Sequence, residues 1–138
     1  MSTSSAIIRA TEGGSYEGIY CHFDGYEEGV GQTLLDHYSD PEKVKRLIAL
    51  GSISVLDERV EPIGPHSFAK REEGTTVAYH RDRGEDWESC RIAAGSSVSE
   101  VEKMIGHNGY VYVFENGKWT CNGVDLAEAI KAAGKEAV

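Results

Sequence analysis

The chain has 138 residues, 40% hydrophobic and 27% charged, enough for one domain with a real core and no need of metal or disulfide staples. Its net charge of −9, from 23 acidic against 14 basic residues, excludes a general nucleic-acid or anionic-membrane binder, which needs a basic footprint. Cys21, Cys90 and Cys121 are odd in number, far apart and without a CxxC pair, so neither a disulfide framework nor a zinc knuckle is indicated. The acids are interleaved with Lys and Arg, as in Glu42-Lys43 and Arg81-Asp82-Arg83, the pattern of a solvated surface. Residues Met1 to Arg9 have neither the basic nor the apolar region of a signal peptide, and no stretch approaches the ~18 apolar residues of a membrane span. The expectation is a soluble cytoplasmic protein with no membrane association.

Taken in chain order, residues 1–5 are expected to be flexible. Ala6 to Thr11 and Tyr16 to Phe23 read as strands of a hairpin around Glu12-Gly13-Gly14-Ser15, a turn-rich break. Asp24 with Glu27 reads as a capping box, in which an acid or Ser side chain satisfies first-turn amides, and opens a helix through Val30, Leu34 and Tyr38. Ser39 with Glu42, and Pro41 in the first turn, opens a second helix through Val44, Leu47 and Ile48, stopped by Gly51. Ile53 and Val55 form a short strand, and Glu61-Pro62-Ile63-Gly64-Pro65-His66 is a loop enforced by two prolines. Thr75 to Tyr79 and Ser89 to Ile92 read as strands. Ser97 with Glu100 opens a helix closed by Gly106, and His107-Asn108-Gly109 reads as a turn. Tyr110 to Phe114 and Lys118 to Cys121 flank Asn116-Gly117, the strongest hairpin signal in the chain. Asp125 with Glu128 opens a last helix along Leu126, Ala129, Ile130 and Ala133, stopped by Gly134. Glycine, 16 of 138 residues and so above the usual ~7%, agrees with many tight turns. Hairpins at both ends and no strict β-α-β alternation predict one α+β domain over residues 1–138, with a mainly antiparallel sheet and about four helices.

Titratable chemistry concentrates in two short segments, Tyr20-Cys21-His22-Phe23-Asp24-Gly25-Tyr26 and Tyr79-His80-Arg81-Asp82-Arg83-Gly84. Each places a His two residues before an Asp. On strands, the period of two puts Tyr20, His22 and Asp24 on one face and Ile19, Cys21 and Phe23 on the other, and groups Ala78, His80 and Asp82. If the segments are adjacent, His22, Asp24, Tyr26, His80, Asp82 and Arg83 form the main polar cluster, and these six are the candidate binding residues. His and Asp in this pattern can ligate a divalent metal, yet Asp24 has a capping role and Asp82 lies in an ion-pair run. No metal and no cofactor is therefore assigned. His66 reads as a loop residue. Cys21 and His22, adjacent on a strand, face opposite ways and cannot share a proton; Cys21 reads as a small core hydrophobe. His37 reads as a helix-end cation. Gly29-Val30-Gly31 is not followed by the rest of a phosphate loop. Tyr110, Tyr112 and Phe114 form an aromatic stripe expected to be covered by the last helix.

The strings Gly18-Ile19-Tyr20-Cys21-His22-Phe23-Asp24-Gly25-Tyr26, Leu34-Leu35-Asp36-His37-Tyr38, Pro65-His66-Ser67-Phe68 and Val77-Ala78-Tyr79-His80-Arg81-Asp82-Arg83-Gly84-Glu85-Asp86 resemble a family of small proteins of tailed bacteriophages and related mobile elements. The resemblance extends from about residue 6 to about residue 87 and carries no catalytic role. It implies context, an accessory protein made in the bacterial host cytoplasm.

Three functions compete. The expectation is a non-enzymatic accessory protein that binds a host macromolecule, with a host protein as partner. The alternatives are a small metal-dependent or acid/base enzyme using the His-x-Asp pairs, and an acidic DNA mimic, for which the charge has the right sign but is not clustered.

Overall fold

A computed structural model of the chain describes residues 3–107 and 109–136. In order, the elements are β1 (Ser5–Ala10), β2 (Tyr16–Cys21), a π-helical turn (Glu27–Gly31), α1 (Gln32–His37), α2 (Pro41–Ile48), β3 (Ile53–Val55), β4 (Val77–Ala78), α3 (Tyr79–Arg83), α4 (Trp87–Cys90), β5 (Ala93–Gly95), α5 (Val98–Ile105), β6 (Tyr110–Glu115), β7 (Lys118–Cys121), β8 (Val124–Asp125) and α6 (Leu126–Glu136). The strands make one sheet in the order β4-β3-β2-β1-β6-β7-β8, and β5 also pairs with β2. The α+β class holds. The sheet, however, is mixed rather than mainly antiparallel, because β1 runs parallel to β6 and β2 parallel to β3. Helices number six rather than about four among the described residues.

β1 explains the layering. Its run Ala6-Ile7-Ile8 is wholly buried, as expected of a central strand covered on both faces. Ile7 joins the larger core with Val30, Leu34, Val44, Leu47, Ile48 and Leu126 from the π turn, α1, α2 and α6. Ala6 and Ile8 join Val101 of α5 and Val111 on the opposite face. Ser5 is itself fully buried in β1, and the Thr3 carbonyl accepts Gly25 N–H at 2.8 Å. The expected flexible start is therefore held from Thr3 onward. The aromatic stripe is core: Tyr112 and Phe114 are buried, and Tyr110 packs against the same cluster as Leu126, Ala129 and Ile130 of α6.

Local signals place several elements. The β6–β7 hairpin turns at Asn116 and Gly117, both at positive φ, as a two-residue type I′ loop requires. Ser97 caps α5 by accepting Glu100 N–H at 3.2 Å, and Asp125 accepts Glu128 N–H at 3.3 Å at the start of α6. α6 nevertheless runs past Gly134, the expected stop. α2 is capped by Asp40, one residue later than the expected Ser39, because Asp40 accepts Glu42 N–H at 3.0 Å and Pro41 takes the first helical position. The turn expected at His107-Asn108-Gly109 includes Asn108, outside the described residues.

Three expectations are corrected. Asp24 caps nothing with its side chain: it sits at φ 57, and its carbonyl instead accepts Val30 N–H at 2.7 Å inside the π turn. Tyr79 to Arg83 is a helix, not the end of a strand. Asp82 Oδ2 reaches back to Ala78 N–H at 2.7 Å, and Gly84 closes the turn at φ 76, so both helix ends find partners. Ser89 and Cys90 belong to α4, and the strand starts only at Ala93.

Candidate functional site

The outer edge of β2 is shared between two strands. β5 pairs antiparallel with Tyr16 to Gly18, and β3 meets β2 at Cys21. Between these contacts Ile19 and Tyr20 border a cleft of about 670 Å³, whose other walls include Ser52, Ser89, Arg91, Ile92, Met104 and Ile105. A volume of this size is in the range of small-ligand sites. A smaller depression of about 240 Å³ adjoins it, sharing Tyr20, Ser52 and Ser89 and adding Tyr79, Arg83, Glu85 and Cys90. Met104 stands exposed at the rim.

Strand β2 ends at Cys21, so the alternation of faces persists only far enough to set His22 on the side of Tyr20. The Tyr20 hydroxyl and His22 Nδ1 are 2.7 Å apart, and Phe23 meets the imidazole edge-on at 4.5 Å. Phe23, expected on the core face with Ile19 and Cys21, is exposed instead. Asp24 and Tyr26 are solvent-facing, with a long 3.5 Å contact between the Tyr26 hydroxyl and Asp24 Oδ1. His80 is exposed on α3, its Nδ1 2.8 Å from the Glu85 carbonyl and its ring edge-on to Trp87. Arg83 lies over Phe68 at 5.0 Å and borders the smaller depression.

Asp82 is the buried member of the six, with its side chain 5% exposed. It accepts from Ala78 N–H at 2.7 Å and from Arg81 Nε and Nη2 at 2.8 and 3.0 Å. Burial alone pushes its carboxyl pKa up, but the bonds from Arg81 and Ala78, with the close His66 ring, outweigh that and hold it below the ordinary value. Arg81 also donates to the Val60 and Thr76 carbonyls at 2.6 and 2.7 Å. The pair thus fastens the segment before β4 to α3.

Tyr20 of the first segment and Tyr79 and Arg83 of the second border the same depression, but among the described residues no hydrogen bond or ion pair joins His22, Asp24 or Tyr26 to His80, Asp82 or Arg83. Strand β3 lies between β2 and β4, and among the described residues no group of three or more His, Cys, Asp or Glu is placed to hold a metal ion. The polar cluster that does form was not legible. His66, read from sequence as a loop residue, has a side chain 2% exposed with Nε2 3.1 Å from Asp82 Oδ2. The contact is close, though the ring N–H points too far off line for a well-directed hydrogen bond. Its Nδ1 accepts Glu72 N–H at 2.9 Å, which assigns the ring proton to Nε2. The one sequence signal was Pro65, which restricts the backbone that leads into His66.

The cysteines are inert by position. All three are buried, and burial pushes the Cys21 thiol up to about 12 and the Cys121 thiol up to about 11. No protein-family model, curated protein or solved structure matches the chain. Among the described residues, no helix is long and apolar enough to cross a membrane.

Proposed function

We propose that the chain is a phage-type accessory protein that acts by binding a host protein rather than by turning over a substrate. The observation that carries this reading is where the reactive side chains spend their bonds. Asp82 is saturated by Arg81 and Ala78, and His80 is held by the Glu85 carbonyl and Trp87. The thiols are buried with raised pKa values, so they are protonated and sheltered at neutral pH. Beside these committed groups the cleft over the β2 edge is open and combines apolar Ile19, Ile92, Met104 and Ile105 with Tyr20 and Arg91, the mixture that protein contacts favour. The net charge of −9 favours a partner with a basic patch and an association that weakens as salt rises.

Capture from bacterial lysate with tagged wild-type protein and with Met104→Asp tests this. The expected result is one identified partner, retained by wild type, lost by the variant and released by raised ionic strength. Insensitivity to salt contradicts the electrostatic part. A turnover activity abolished by His80→Ala in a still-folded protein overturns the reading.

One observation favours a second reading, a small acid/base enzyme. Tyr20 borders the cleft and its hydroxyl shares a 2.7 Å hydrogen bond with His22, and such a pair can pass a proton to a bound ligand. Activity screens with His22→Gln and Tyr20→Phe, alongside metal analysis of purified protein, separate it from binding: no activity lost and no metal bound removes it.

A further inference from the structure

The segment Glu61 to His66 presents Ile63, 79% open to solvent and the most exposed large apolar side chain among the described residues. A lone exposed Ile is ordinary on a protein surface. The framework beneath this one is not. Glu72 spans the tip with both carboxylate oxygens, Oε2 accepting Ile63 N–H at 2.9 Å and Oε1 accepting Gly64 N–H at 2.6 Å. Thr75 Oγ1 donates to the same carboxylate at 2.5 Å, and Arg59 Nη2 stands 3.4 Å away. The Glu72 N–H in turn donates to the buried His66 ring. Pro62 and Pro65 restrict the backbone on either side. The tip is therefore held at its backbone and at its base, while the large apolar side chain of Ile63 touches water.

Such an arrangement settles the ordering cost during folding, and a preorganised apolar tip binds without meeting that cost again. We propose that Ile63 is the anchor of a protein–protein contact, inserted into an apolar socket bordered by Lys or Arg on a partner protein. A socket is implied because a single branched side chain on a narrow, braced tip offers little area to a flat surface. The basic border follows from charge. Five acids (Asp57, Glu58, Glu61, Glu72 and Glu73) stand against three bases (Arg59, Lys70 and Arg71) in this stretch, and the whole chain is at −9. The same charge opposes an anionic lipid surface. This inference rests on the proposal that the chain acts by binding a protein, and adds to it a contact separate from the cleft.

The test places a diazirine-bearing residue at position 63 of the full chain and, in a second sample, at position 104, and irradiates both in bacterial lysate. The expected result is one protein crosslinked from position 63, with the crosslink mapped to an apolar pocket edged by Lys or Arg. Unlabelled wild type and Ile63→Val should compete for that crosslink equally. Ile63→Asp should compete at least about 30-fold less well, the loss typical of an interface anchor, with an unchanged melting temperature because the side chain is exposed. Glu72→Ala, which keeps Ile63 but frees its backbone, should compete about tenfold less well. Crosslinks from position 104 alone overturn the Ile63 contact and leave the binding reading intact. No crosslink from either position overturns both. Crosslinks from position 63 to lipid, to a second copy of this chain or to an acidic surface overturn the proposed socket, as does full competition by Ile63→Asp.

Discussion

Two carboxylates, Asp82 and Glu72, brace the long segment between β3 and β4, Glu72 by accepting hydrogen bonds from within it and Asp82 by orienting Arg81, which donates to the Val60 and Thr76 carbonyls. Replacing Asp82 with Ala would leave Ala78 N–H unpaired and strand the Arg81 guanidinium against the protein. Breaking a largely buried pair this way costs about 3 kcal/mol, to be read from the urea midpoint. Glu72 sets a pH dependence. The Thr75 hydroxyl, then the Ile63 amide and further donors hold its carboxyl down, from the ordinary 4.5 to about 2. A folded pKa below the unfolded one gives stability that is complete above about pH 4.5 and is lost as pH falls toward about 2. Asp82 is shifted in the same direction, so its contribution is likewise lost as pH falls below its ordinary carboxyl value. Urea midpoints measured through this range should fall for wild type and fall less steeply for Glu72→Gln; equal slopes would show that Glu72 is not the titrating group. None of this was legible at residue level. Asp82 reads as a surface ion-pair member in Arg81-Asp82-Arg83, and its burial depends on His66, sixteen positions away.

Among the elements, the π turn after β2 shows how a local signal is overridden. Asp24 and Glu27 have the spacing of a capping box, but Tyr112, on β6, donates to the Gly25 carbonyl at 2.6 Å. That bond ties the loop over the end of the sheet, and a wider helical turn results. Gly29 makes the turn possible, since a Cβ there would overlap the Asp24 carbonyl and approach the Asp24 Cβ at 3.0 Å. Gly29→Ala should therefore destabilise the protein by about 1–3 kcal/mol, the range for overpacking, although Ala is the better helix former. An unchanged or raised melting temperature would show that the turn has room to relax. The capping boxes at Ser97 and Asp125 and the Asn116-Gly117 turn were legible because their partners lie within four residues. Where a distant partner intervenes, as at Asp24, the local pattern loses.

For the whole molecule, burial governs the chemistry of the thiols, Cys21 and Cys121 within the larger core and Cys90 in α4. Cys21, Cys90 and Cys121 are all buried, and burial raises all three thiol pKa values. Native protein at neutral pH should leave a thiol reagent such as Ellman's unreacted over minutes and release three equivalents once denatured. Rapid reaction of one native thiol would identify a locally open segment.

By itself the sequence determined the α+β class, the two hairpins, the starts of α5 and α6 and the core face of Ile19 and Cys21. Each is encoded by short-range turn chemistry or by the period of a strand. Only the tertiary structure decided the parallel pairing of β1 with β6, the helix at Tyr79–Arg83, the burial of His66 against Asp82 and the cleft where β3 and β5 share the edge of β2. These depend on which segments meet across long loops. Strand periodicity states which face a residue occupies, but not which strand stands beside it.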